Sequence, residues 1–141
     1  MIKFERLPSG ILLRIPDLKK ALGEDNNIIF AYIFGGLAKG KIGPLSDIDI
    51  AVYLGSTENL AENKIQIFDR LTDVLGTDEL DIVILNVASI SITGRVLQNK
   101  QVLVDKNPAA RHAFESLALR QFFDFKIKEE TVFSLRYGIG R

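Results

Sequence analysis

Apolar positions along this chain fall into short unbroken runs separated by amphipathic stretches. Residues 27–34 (Asn-Ile-Ile-Phe-Ala-Tyr-Ile-Phe) are almost wholly apolar and rich in β-branched and aromatic side chains. A run of that length fits a strand buried on both faces. Residues 47–54 begin with strict alternation, Asp-Ile-Asp-Ile, and read as a second strand; residues 80–85 (Leu-Asp-Ile-Val-Ile-Leu) read as a third, buried one. Between them, residues 58–75 place Leu60, Ala61, Phe68, Leu71 and Leu75 on one helical face. Ser56 or Thr57 is expected to cap that helix, and Gly76 stands where a C-terminal cap belongs.

Residues 16–23 form a short helix, with Pro16 near its start and Gly23 at its end. Residues 88–99 fit either helix or strand; a helix ended by Asn99 is preferred, followed by a short strand at 101–104. Residues 109–136 read as a long helix with apolar positions at Phe114, Leu117, Ala118, Phe122 and Phe125, and residues 138–141 as a frayed end. Leu119, Phe123 and Val132 lie on other faces of that helix. This surplus points to a protein partner, or to enclosure by residues 1–20. Alternation of strands and helices predicts an α/β (α+β) fold, a small mixed sheet flanked by helices.

With 141 residues, the chain suits one domain, 1–141. Cysteine is absent, which excludes disulfides, thiolate catalysis and cysteine-ligated metal sites. Eighteen basic residues balance eighteen acidic ones, so a long nucleic acid is not an expected partner. The opening MIKFERLPSG lacks the apolar run of a signal peptide, and no stretch approaches the ~20 apolar residues of a membrane helix. A cytoplasmic location without membrane attachment is expected.

The chemistry concentrates between Gly35 and Asp49, in GGLAKGKIGPLSDID. A glycine-rich turn links the first strand to the second, which opens with two aspartates one residue apart. Side chains at i and i+2 of a strand share a face, so Asp47 and Asp49 stand about 7 Å apart at the backbone, with Ile48, Ile50 and Val52 opposite. Two neighbouring carboxylates repel unless a cation lies between them. Magnesium prefers oxygen ligands and typically takes one or two carboxylates plus substrate phosphates. Asp81 interrupts an apolar strand, where a charge is costly without a partner. If its strand lies beside the second, it completes a three-aspartate metal cluster suited to two-metal transfer of a nucleotidyl group, and it is the candidate base. Gly35 and Gly36 let the backbone approach a ligand closely, and their N–H groups suit phosphate oxygens. Lys39 and Lys41 stand near, though each alone reads as a solvated loop lysine. His112, the only histidine, reads as a surface or capping residue.

Gly35-Gly36, ten residues, then Asp47-Ile48-Asp49 resembles the Gly-Ser, ten residues, Asp-x-Asp pattern of nucleotidyltransferases of the DNA polymerase β superfamily. The chain is most similar to the minimal nucleotidyltransferase (MNT) proteins of bacteria and archaea. LDIVILNVAS resembles their third-aspartate strand and the helix after it, and the long last helix also fits, so the resemblance covers nearly the whole chain. It implies a magnesium-dependent enzyme using ATP. Asp47, Asp49 and Asp81 would be catalytic metal ligands; Gly35 and Gly36 would bind phosphate. Ser46, preceding the first aspartate as in the family, joins the nucleotide-binding set, although alone it reads as a turn residue. Many such proteins are antitoxins that transfer AMP to a tyrosine of a HEPN ribonuclease toxin and silence it. A hetero-oligomer with such a toxin is therefore expected.

Two positions depart from the pattern. Gly36 replaces the serine whose hydroxyl bonds a nucleotide phosphate, and Leu37 stands where relatives often carry a basic residue. One lost charge-assisted hydrogen bond is worth about 1.5–3 kcal/mol, which implies weakened rather than abolished turnover. Two other readings therefore stand beside the toxin-modifying enzyme. One is an antitoxin that acts by binding alone with a degenerate site. The other is a small-molecule nucleotidyltransferase of the aminoglycoside-modifying kind, disfavoured because 141 residues leave little room for a domain to hold such a substrate.

Overall fold

A computed structural model gives the architecture, and it describes residues 11–38 and 48–137. Within these, a 3-10 turn at Ile11–Arg14 leads into α1 (Ile15–Gly23). There follow β1 (Ile28–Phe34), the single turn α2 (Gly35–Ala38), β2 (Ile48–Leu54), α3 (Leu60–Leu75) and β3 (Leu80–Ile84). The chain continues through α4 (Ile90–Gln98), β4 (Gln101–Asp105) and α5 (Pro108–Tyr137). The helix preferred at 88–99 is α4. The expected start of β2 at Asp47 and the frayed end at 138–141 lie outside the described residues.

The strands form one sheet in the order β3-β2-β1-β4. β1 pairs antiparallel with β2 and with β4, while β2 and β3 run parallel. A parallel pair needs a long crossover, and α3 supplies it. β1 is central and buried along most of its length, as its apolar run predicts.

Helices cover both faces. On one, α1 and α3 bring Leu18, Leu22, Ile67, Leu71 and Leu75 against Ile48, Ile50, Val52, Ile82 and Ile84. On the other, α4 and α5 bring Val96, Leu97 and Ala118 against Phe30, Tyr32 and Ala51. Phe30 stacks on Tyr53, with ring centroids 4.8 Å apart and planes 3° from parallel, and Phe114 of α5 closes over both. α4 and α5 meet at Gly94, where a Cβ would overlap the Phe122 ring.

Several local expectations are corrected. Neither Ser56 nor Thr57 caps α3: its N-cap is Asn59, in a left-handed conformation (φ 55°) with no side-chain capping bond. Ser56 Oγ instead accepts from the Glu58 N–H at 3.3 Å, closing a turn before the helix. Ile67 rather than Ala61 belongs to the buried face of α3, and Ala61 is exposed. Gly76 does cap the C-terminus, with φ 72° and its N–H on the Thr72 carbonyl at 2.9 Å. β3 is an edge strand, and Asp81 is exposed rather than enclosed in an apolar layer. Of the predicted α5 stripe, Ala118 and Phe122 are buried and Phe114 half-buried, but Leu117 and Phe125 are exposed. At about 1.5 Å per residue, the 30 residues of α5 span roughly 45 Å, more than the sheet beneath it requires. Beyond Phe122 nearly every side chain is exposed.

Candidate active site

The end of β1 decides the local geometry. Gly35 follows Phe34 directly and takes φ +76°, so the backbone swings from strand into α2 in a conformation that L side chains rarely adopt. A Cβ there would also overlap the carboxylate of Asp49. Glycine at 35 is thus required twice, by its φ and by its neighbour. Gly36 is not in the left-handed region.

Strand alternation separates structure from chemistry. Ile48, Ile50 and Val52 point into the α1/α3 core, so Asp49 faces the side of α4 and α5. The same holds on β3, where Leu80, Ile82 and Ile84 point into that core and Asp81 points away from it. In the parallel pairing Asp49 lies directly opposite Asp81, and in the antiparallel pairing Phe34 lies opposite Asp49. Adjacent strands are about 4.8 Å apart. Two carboxylates therefore stand side by side next to the Gly35 turn, Asp49 half-buried and Asp81 exposed.

They open on a cleft of about 230 Å³ between the sheet and α4. Gly35, Asp49 and Asp81 form its sheet wall; Ile92, Arg95 and Asn99 form the helix wall. The helix is fixed from its start, because Ser89 Oγ accepts from the Ile92 N–H at 3.2 Å. Asp47 and Ser46 lie outside the described residues, as do Lys39 and Lys41. Among the described residues no three potential metal ligands of the His, Cys, Asp or Glu type gather in one place. The structure thus brings together Gly35, Asp49 and Asp81 of the predicted set, with Gly36 next in the chain.

Arg95 and Asn99 were not among the sequence-derived candidates. A single arginine on a helix carries no local signal; only the return of α4 over the end of β3 places it at the cleft. A second polar cluster, also not anticipated, ties α5 to the sheet. The Tyr32 hydroxyl donates to Glu115 Oε2 at 2.5 Å. Arg111 donates to Asp105 Oδ2 at 2.7 Å and to Glu115 Oε2 at 2.9 Å. Burial, then the hydrogen bond to Glu115, holds the Tyr32 hydroxyl far above its ordinary pKa. Burial alone would raise Glu115, but the bonds from Tyr32 and Arg111 and the charge of Lys100 outweigh it, so its carboxyl titrates below the usual value. His112 is exposed, with Nε2 3.1 Å from an Arg111 nitrogen, as a surface histidine should be.

Residues 17–109 match the family described as polymerase beta, nucleotidyltransferase, two thirds of the chain. No curated protein matches the sequence. Solved structures share the fold at low identity. A toxin–antitoxin crystallised with AMP-PNP aligns with TM-score 0.68 and 22% identity, over 86% of this chain and 94% of that one. A tri-AMPylated Shewanella oneidensis HEPN toxin in complex with its MNT antitoxin aligns with TM-score 0.67 and 21% identity, over 88% and 96%. A mutant of the toxin–antitoxin MntA-HpeT aligns with TM-score 0.72 and 20% identity, over 85% and 95%.

Proposed function

Since the chain belongs to the polymerase beta nucleotidyltransferase family, we propose that it transfers AMP from ATP to a tyrosine of a HEPN ribonuclease toxin and so neutralises it. The observation that carries this reading is the in-register pair Asp49 and Asp81 beside the Gly35 turn. Two carboxylates on one face, next to a backbone that a Cβ would obstruct, fit a divalent cation bridging protein and phosphate. Asp49 and Asp81, with Asp47, would hold magnesium. Such an ion, when bound, neutralises phosphate charge and lowers the pKa of a nearby hydroxyl.

The chain's own groups divide the remaining work. Gly35 keeps the cleft floor low enough for the triphosphate to lie against the backbone. Asp81, exposed at the rim, accepts the phenolic proton as the tyrosine oxygen attacks the α-phosphorus. An oxygen–phosphorus bond to tyrosine forms, the bond to pyrophosphate breaks, and pyrophosphate leaves. That relatives of this fold were crystallised with AMP-PNP and with an AMPylated HEPN toxin supports the choice of nucleotide and acceptor. The far half of α5, with Phe123, Ile127, Val132 and Phe133 at least half exposed, is the surface proposed to dock the toxin.

The test is to produce the chain with its toxin, add magnesium and labelled ATP, and compare wild type with Asp47→Asn/Asp49→Asn. Added AMP on a toxin tyrosine, lost in the double variant, is the expected result. An unmodified toxin in a complex with the intact site would overturn the reading. Gly36 favours one rival, neutralisation by binding alone. That rival requires the double variant to protect cells as well as wild type does.

A further inference from the structure

α4 has two faces with different duties. Thr93, Gly94, Val96 and Leu97 are buried, and Gly94 is pressed against the Phe122 ring. Ile92 and Arg95, spaced i and i+3, fall together on the other face, and with Asn99 just past the helix end they line the cleft opposite Asp49 and Asp81. Arg95 is the one cation among the described residues of the cleft wall. Of the cations that tie α5 to the sheet, Lys100 is paired with Glu115 and Arg111 with Asp105 and Glu115. Arg95 is exposed and forms no ion pair with another described residue, although two carboxylates share its cleft. A guanidinium with no ion pair among the described residues, across a cleft from a carboxylate pair, suits a ligand that carries both a cation and excess negative charge. A magnesium-bound triphosphate is such a ligand, and the planar fork of arginine matches phosphate oxygens in pairs.

We infer that Arg95 binds the triphosphate of the nucleotide from the helix wall, opposite the metal-holding aspartates. The inference rests on the nucleotidyltransferase reading above and adds a residue to its substrate site. Gly36 and Leu37 offer neither hydroxyl nor charge from their side chains. The α4 wall therefore supplies a cationic contact that these two positions of the turn do not.

Calorimetric titration of the full chain tests this with three probes: AMP-PNP with magnesium, inorganic triphosphate with magnesium, and adenosine. Arg95→Gln should weaken AMP-PNP and triphosphate alike, by about tenfold to a hundredfold, and leave adenosine unchanged. Arg95→Lys should recover part of the loss, keeping the charge without the fork. Melting temperatures of both variants should match wild type. Wild-type binding of AMP-PNP that Arg95→Gln leaves intact would overturn the role of Arg95 alone. Equal loss for adenosine and triphosphate would overturn it as well, as would a lowered melting temperature with unchanged binding, the mark of a cation serving only the last turn of α4. A wild-type chain that binds neither AMP-PNP nor triphosphate would overturn the nucleotide reading itself.

Discussion

On the face covered by α1 and α3, Ile48, Ile50 and Val52 meet Leu71 and Leu75 in a continuous apolar layer. On the opposite face the same strands present Asp49, Tyr53, Asp81 and Tyr32, and the helices answer with Arg95, Arg111 and Glu115. The first face gains from removing hydrocarbon from water and tolerates no charge. The second gives up some apolar area and holds polar groups in place by pairing them or leaving them open to a cleft. One sheet can do both because its side chains alternate, so a carboxylate and its flanking isoleucines occupy opposite sides of one strand. Stability and chemistry are thereby separable by mutation.

The sharpest break is a matched pair of substitutions on the two faces. Asp49→Asn should lower AMP transfer by about a thousandfold, roughly 4 kcal/mol of transition-state stabilisation, in line with loss of one key electrostatic group. Its unfolding free energy should stay within about 1 kcal/mol of wild type, read by urea titration. Leu71→Ala should do the reverse. The side chain is fully buried, and its truncation should cost about 2–5 kcal/mol of stability. Transfer by the molecules that remain folded should keep the wild-type rate. If Leu71→Ala lowered turnover per folded molecule as far as Asp49→Asn does, the two faces would not be independent.

How far each face can be read in the sequence follows from the same division. β1, β2 and β3 were legible because runs such as IIFAYIF and LDIVIL have few stable alternatives once water is excluded. The link from the Gly35 turn to Asp49 is legible because its spacing is local, whereas the register that sets Asp81 opposite Asp49 depends on the pairing of β2 with β3. The exposure of Asp81 was not, because an edge strand and a buried one share the same apolar pattern until the strand order is known. The packing of α5 was misjudged at Leu117 and Phe125 because apolar residues fall all around this helix, and periodicity cannot say where the sheet beneath it stops. Arg95 and the Tyr32–Glu115 bond join residues far apart in the chain, Tyr32 and Glu115 being 83 positions apart, and no local rule reaches that distance.

A milder probe of the second face is Gly94→Ala. The added methyl would overlap Phe122 and force α4 and α5 apart. Overpacking of this kind should cost about 1–3 kcal/mol. Because Ile92, Arg95 and Asn99 ride on the same helix, KM for ATP should rise as well. A stability loss with KM unchanged would mean that the cleft wall does not depend on the α4–α5 contact.

The smallest effect should come from Glu115→Gln, and its signature is in pH rather than in size. Glu115 titrates below its ordinary value of 4.5 in the folded chain, so its contribution to stability is present above that pH and is lost as the pH falls further. Tyr32 is held above its ordinary value of 10.0, so its contribution is present below that pH and is lost as the pH rises beyond it. Both groups therefore favour the fold across the neutral range. Glu115→Gln keeps the shape and one acceptor oxygen but removes the charge that Arg111 and Tyr32 share, and should cost about 0.5–1.5 kcal/mol at pH 7. The difference from wild type should shrink on acidification below 4.5, because protonated Glu115 already resembles glutamine. Thermal melts of the two proteins from pH 7 to pH 3 would read this directly. Curves that stay parallel across that range would mean that the Glu115 charge contributes nothing to holding α5 on the sheet.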